Sequence, residues 1–257
     1  MPLSQDKILF PSCCNYEQVE TYGVFIDGDN MNPSYFQKIH NYLLIRGHII
    51  LKKVYGDFME DNMRAWKPVC LEYGIEPIMA WRVKSKNSSD VKMATDVMDI
   101  LHSHPHLQNF VIVTGDIDLQ ELCRKIISHK RYVIGISCFL SSTSMLLKNS
   151  CSEYMILEHI ETLKPLIPSR NGDVLSLSDI ITLIRQVLEF SSMEHGMNLG
   201  MFKKTLLRYN PSFHERHYGY HSMKEFIQAC SPHVYLHEIS NGNYYVSIQP
   251  PSPPEEK

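Results

Sequence analysis

Apolar positions along the chain follow two recurring patterns. Short runs rich in β-branched and aromatic residues, at 23–27, 48–55, 75–79, 110–114 and 131–137, predict strands. Between them, the stretches 32–46, 61–73, 89–102 and 119–130 repeat apolar residues at helical spacing. The runs GVFID (23–27) and FVIVT (110–114) are nearly all apolar. Strands of that kind are buried on both faces, which predicts an α/β fold: a twisted parallel sheet with helices on both faces. In such sheets the ligand site lies beyond the carboxyl ends of the strands. That rule directs attention to Asp27 and to residues 114–118.

The pattern changes near residue 161. Residues 163–173 (LKPLIPSRNGD) hold two prolines and then Asn171-Gly172, and read as a linker. Helices follow at 176–191, 199–209 and 222–230, then strands at 234–239 and 244–248 separated by the hairpin signal Asn241-Gly242. Helices first and a hairpin last predict a small C-terminal winged-helix domain. The expected division is a first domain at 20–161, a linker at 162–173, a second domain at 174–249 and a disordered tail at 250–257.

Composition narrows the classes. Of 257 residues, 44% are hydrophobic and 21% charged, which excludes a mostly disordered chain, a coiled coil and a collagen-like fibre. The net charge of −3 argues against a polycationic nucleic-acid binder. It does not exclude a local patch: residues 197–224 carry Lys203, Lys204, Arg208, Arg216 and Lys224 against Glu215 alone. No apolar run approaches the ~18 residues of a membrane span, and the first residues lack the apolar core of a signal peptide. Seven cysteines with no C-x-x-C pair read as reduced thiols, so the expected location is cytoplasmic.

Three acidic elements fall where strands end or helices begin: Asp27-Gly28-Asp29-Asn30, Asp90, and Asp116-Ile117-Asp118. At about 100° per residue, Asp90 shares a helix face with Met93, Ala94, Val97 and Leu101, whereas Asp96 lies off that stripe. Converging carboxylates raise one another's pKa, and a hard divalent cation removes that penalty. A cation so held can activate water and stabilise charge on a phosphoryl group. Each acid alone also suits a turn or a helix N-terminus. Three such coincidences at one sheet edge favour the metal reading.

At these residues the sequence resembles the NYN domains, a family of PIN-like, metal-dependent ribonucleases. The matching blocks are VFIDGDNM (24–31), VYGD (54–57), Trp66, KNSSDVKMATDVMD (86–99), VTGDIDL (113–119), YVIGI (132–136) and 142–156, ending in NSCSEY (149–154) and Met155-Ile156. The resemblance implies an acidic pocket for Mg²⁺ or Mn²⁺ made by Asp27, Asp90, Asp116 and Asp118, with Asn30 as a polar companion and Asp96 in support. The C-terminal part resembles the LOTUS domain, also called OST-HTH, through the 199–209 helix and FHERHYGY (213–220). That resemblance implies binding of RNA, single-stranded or G-rich and structured, or of a protein partner.

Substrate must cross a positive approach to reach an acidic pocket. Arg82, Lys84 and Lys86 alternate and lead to Asp90, so in an extended segment they share one side. In the second domain, Lys203, Lys204, Arg208 and Arg216 offer backbone contacts, and Tyr218 and Tyr220 offer stacking, as in single-strand binders. The two tyrosines serve equally well as packing. HSHPH (102–106) reads as a solvated loop rather than a zinc site, because Pro105 breaks the helix and no cysteine is near. The sequence thus points to a metal-dependent (endo)ribonuclease with no membrane partner, its endo- or exonuclease polarity left open. It leaves open a homo-oligomer, a non-catalytic RNA-binding adaptor, and a phosphatase of the haloacid dehalogenase type suggested by Asp27-Gly28-Asp29.

Overall fold

Thr21–Asp27 (β1) is buried at every residue after the first, and Asn109–Val113 (β4) along its whole length. These are the two all-apolar runs, and they pair in parallel at the centre of the sheet. The structure, a computed structural model, describes residues 20–81, 88–138, 146–159, 175–191, 196–240 and 242–250. His48–Gly56 (β2) and Glu76–Met79 (β3) extend the sheet on one side of β1; Tyr132–Ser137 (β5) and Glu153–Ile156 (β6) extend it beyond β4. All pairings are parallel and the order is β3-β2-β1-β4-β5-β6. The order reverses between β1 and β4, and a crevice at such a switch point is where open α/β sheets bind ligands.

The helices divide between the faces. Phe36–Arg46 (α1) and Trp66–Tyr73 (α2) cover one face, where Val24, Ile26, Val111 and Val113 pack with Phe36, Ile39, Leu43 and Trp66. Ser88–Ser103 (α3) and Gln120–Ser128 (α4) cover the other, where Phe25, Phe110 and Ile112 pack with Met93, Val97, Leu101 and Leu122. Three predicted helices begin differently from expectation. Short 3-10 turns at Pro33–Tyr35, Asp61–Met63 and Ile117–Leu119 precede α1, α2 and α4. β6 was not expected, because EYMI lacks a continuous apolar run and its residues are only half-buried.

The second domain contains Leu177–Phe190 (α5), Leu199–Tyr209 (α6) and Met223–Ala229 (α7), each N-capped by the side chain before it: Ser176, Asn198 and Ser222. Met197–Asn198 (β7), Tyr235–Ser240 (β8) and Asn243–Ser247 (β9) form an antiparallel sheet in the order β7-β9-β8. Gly242 adopts φ 82°, the conformation the hairpin needs. Phe202, Leu206, Phe213, Phe226, Ile227 and Val246 fill the core of this winged helix. The expected linker lies outside the described residues, as does nearly all of the expected tail.

The two domains meet where α6 packs on α1. Arg208 Nη1 donates to Leu44 O (3.0 Å) and Ile45 O (3.1 Å), and Tyr209 OH donates to Asn41 O. The last carbonyls of a helix lack intrahelical donors and carry partial negative charge, so a guanidinium suits them. Among the described residues, no helix is long and apolar enough to cross a membrane.

Candidate active site

Strand parity builds the site. Side chains alternate along a strand, so Asp27 shares the face of Phe25, and Thr114 that of Phe110 and Ile112. This is the face that α3 covers with Met93, Val97 and Leu101. Asp90 heads the same stripe and is buried with them. The helix-wheel argument therefore brings Asp90 toward the ends of β1 and β4.

A chain of hydrogen bonds fixes the acids. Asp27, 1% exposed, accepts from Asn30 Nδ2 (2.8 Å) and Thr114 Oγ1 (2.9 Å), both on Oδ2. Thr114 Oγ1 in turn accepts from the Asp116 amide, and Asp116 Oδ1 accepts from the Asp118 amide, each at 3.0 Å. The loop after β1 is held from below. Gly28 N donates to Tyr55 O, and Trp66 Nε1 donates to Gly28 O. A Cβ on Gly28 would stand 2.8 Å from Tyr55 O and 2.7 Å from Met63 Cε, so only glycine permits this approach.

The electrostatics are those of crowded carboxylates. Burial, and then Asp27, Asp116, Asp118 and Asp29, push the Asp90 carboxyl up to about 7. Burial also raises Asp27; the hydrogen bonds from Asn30 and Thr114 pull it back, and Asp29 and Asp116 add to the rise. Asp27 Oδ1, Asp29 Oδ1 and Asp90 Oδ1 are buried without a partner among the described residues. Buried carboxylate oxygens of that kind are costly. Among the described residues, no group of three or more His, Cys, Asp or Glu forms a ready-made metal cage. The donor set nevertheless fits a hard divalent cation such as Mg²⁺, which takes oxygen ligands, keeps several waters and needs only one or two direct carboxylates. Beside Asp90 and Asp118, a groove of about 520 Å³ runs between α3 and α4 over Val91, Ala94 and Met98, with Lys125 on its rim.

The NYN domain family matches residues 21–158, more than half of the chain. This chain belongs to the NYN domain family. The OST-HTH/LOTUS domain matches residues 163–246. The pair places this NYN-domain protein among ribonuclease-like, RNA-binding proteins and favours that class over the phosphatase reading. Among solved structures, it is similar to a protein of unknown function from Vibrio parahaemolyticus, at 16% identity and a TM-score of 0.42, over 55% of this chain and 94% of that one. No curated protein matches.

The other expected site residues of the NYN-domain protein fall in varied places. Asp96 faces β2, accepting from Lys53 Nζ (2.9 Å) and Tyr55 OH (2.6 Å). Burial opposes its ionisation, but these two donors outweigh it and hold the carboxyl below its ordinary range. Asp96 thus ties α3 to the sheet and does not join the carboxylate cluster. Arg82, Lys84 and Lys86 lie outside the described residues. Lys203 pairs with the buried Glu215 (2.8 Å), and Arg208 is engaged with α1. Tyr218 donates to Leu175 O and packs on Phe213 and Phe226, and Tyr220 packs on Phe226. Lys204 and Arg216 are exposed. Lys203, Arg208, Tyr218 and Tyr220 are therefore placed structurally in this conformation, and the packing alternative for the two tyrosines is the one observed. His102 lies in the last turn of α3 and hydrogen-bonds Met98 O, so the expected loop starts only after Ser103, where His104 hydrogen-bonds the Ser103 hydroxyl.

Sequence reasoning named the stretches holding two contributors but gave these residues no role. Thr114 links Asp27 to Asp116 through one hydroxyl; its signal is a polar residue ending an all-apolar strand and entirely buried. Asp29 adds negative charge at both Asp27 and Asp90. Its neighbour in the D-G-D-N turn drew the attention instead.

Proposed function

We propose that this protein is a divalent-metal-dependent ribonuclease that hydrolyses RNA phosphodiester bonds internally, with its C-terminal domain binding or presenting the RNA. The observation that carries this reading is the convergence of Asp27, Asp29, Asp90 and Asp116 at the switch point of the sheet, with three carboxylate oxygens left without a partner. Asp27, Asp90 and Asp116 would hold Mg²⁺ or Mn²⁺, partly through water, and Asp118 stands on the exposed rim. When bound, such an ion offsets charge on the phosphoryl oxygens and lowers the pKa of water. The chain's own residues do the positioning. Asn30 and Thr114 orient Asp27 with one oxygen facing away from both, and the Asp116 cap keeps Asp118 at the mouth of the groove. Asp118 would orient the attacking water. Arg82, Lys84 and Lys86, just before α3, would draw the strand toward Asp90, and the exposed Lys204 and Arg216 add contacts in the second domain.

The test is incubation with labelled single-stranded and structured RNA, and with DNA, in Mg²⁺ or Mn²⁺, against Asp116→Asn. Cleavage of RNA by the wild type that falls at least a hundredfold in the variant is expected, as for loss of a principal electrostatic group. Equal cleavage by both would remove the site from the mechanism. RNA binding without cleavage of any substrate would replace the nuclease by an adaptor.

A further inference from the structure

A second polar cleft lies at the opposite edge of the parallel sheet, between the two domains. It encloses about 420 Å³ and is lined by His40 on α1, His48 and Lys52 on β2, and Lys204 and Arg208 on α6, over an aliphatic floor. None of its lining residues is acidic. The β1–β2 register sets its distance from the carboxylates. Thr21 pairs with His48 and Asp27 with Tyr55. At ~3.3 Å per residue, the six residues from Thr21 put His48 about 20 Å from Asp27 along the sheet, and Lys52, paired with Val24, lies about 10 Å away. A phosphate at the carboxylates cannot also occupy this cleft.

The cations here are incompletely neutralised. Arg208 donates to two carbonyls at the end of α1, and its Nε is buried without a partner. Lys52 Nζ donates to Tyr73 O at the end of α2. Helix C-termini carry only about half a negative charge, less than a carboxylate would supply. Among the described residues, no carboxylate pairs with Lys52, Lys204 or Arg208. The histidines respond to the crowding. Burial, then Lys52, lowers His40 to about 4, and burial, then Arg208, lowers His48. A neutral imidazole can donate one N–H without adding repulsion. An oxyanion in the cleft would face cationic groups from both domains, which must be docked to assemble them.

We propose that the interdomain cleft is an oxyanion site that takes a phosphate group, held by Lys204 and Arg208 from one domain and by Lys52 and His48 from the other. The same chemistry is offered by a phosphate of an RNA strand lying across the junction and by the phosphate of a small phosphorylated ligand. The site does not rest on the nuclease reading.

His48 lines the cleft, so its imidazole NMR signals, assigned with His48→Gln, report occupancy. Full-length, metal-free protein is titrated in separate arms with inorganic phosphate, a nucleoside 5′-monophosphate and a single-stranded RNA. The His48 signals are expected to shift, with affinity about tenfold weaker in Lys204→Glu, the scale of one charge-assisted hydrogen bond, and largely kept in Lys204→Arg. Lys204 is exposed, and circular dichroism checks that the variants fold. A shift with RNA alone assigns the site to the backbone; a shift with the small phosphates assigns it to a phosphorylated small molecule. No shift with any probe, or equal affinity in Lys204→Glu, overturns the proposal. Absent RNA cleavage with an intact His48 shift counts against the nuclease reading and leaves this site standing.

Discussion

At Asp90, burial and four neighbouring carboxylates all act in the same direction, raising the folded pKa from 3.8 to about 7. The sign of the linkage follows. The folded state binds this proton more tightly than the unfolded state, so the contribution is fully present below pH ~4 and declines as pH rises toward 7. Without metal, Asp90→Asn should therefore raise the melting temperature by several degrees at pH 8 and by little at pH 4, while abolishing RNA cleavage. Thermal denaturation in chelator at the two pH values checks this; an equal gain at both would show that Asp90 is not electrostatically strained. Added Mg²⁺ or Mn²⁺ should stabilise the wild type at pH 8 and the variant far less, because a ligand stabilises only the state that binds it. Such a cost in stability is one that an active site relying on the charge would carry.

Among the elements, α3 was the most legible, and the reason is visible in its side chains. Its stripe of Asp90, Met93, Val97 and Leu101 has one period and one buried face, so the sequence predicts both the helix and the direction Asp90 takes. The short elements were less legible. The 3-10 turns before α1, α2 and α4 are stabilised by local bonds, such as Asn32 to the Ser34 amide and Asp116 to the Asp118 amide, which leave no apolar periodicity to read. β7 is only two residues long and exists because Met197 and Asn198 pair with Val246 and Tyr245, nearly fifty positions away. In α6, Asn198 accepts from the amides of Gly200 and Met201. Asn198→Ala should cost about 1 kcal/mol, read as a lower urea midpoint with an unchanged m-value. A loss below ~0.3 kcal/mol would mean that β7 pairing, not the cap, sets the start of α6.

At the scale of the whole molecule, docking turns two domains into one surface. Arg208 and Tyr209 place three hydrogen bonds on the carbonyls of α1. Bonds from a charged donor contribute about 1.5–3 kcal/mol each and neutral ones about 1. The double substitution Arg208→Ala with Tyr209→Phe should weaken docking by roughly 4 kcal/mol or more on that scale. Small-angle scattering should then show a larger radius of gyration with each domain still folded. An unchanged radius would show that the apolar contacts of α1 and α6 suffice. Pairing within the second domain and docking together divide the basic stretch 197–224: Lys203 faces Glu215, Arg208 bonds α1, and Lys204 and Arg208 line the cleft.

The chain's own order of residues determined the parallel α/β class, the winged helix and the position of each acid at an element's end. These follow from local periodicity, turn chemistry and the alternation of strand faces, all of which are written within a few residues. Only the tertiary structure decided which groups meet. Thr114 reaches Asp27 across 87 positions, Asp96 turns to Lys53 and Tyr55 rather than to the acids, and Arg208 finds α1 across more than 160. Contacts of that range depend on strand order and on domain docking. A residue's chemistry can be read from the sequence, but its partner is set by the long-range packing that brings distant segments together.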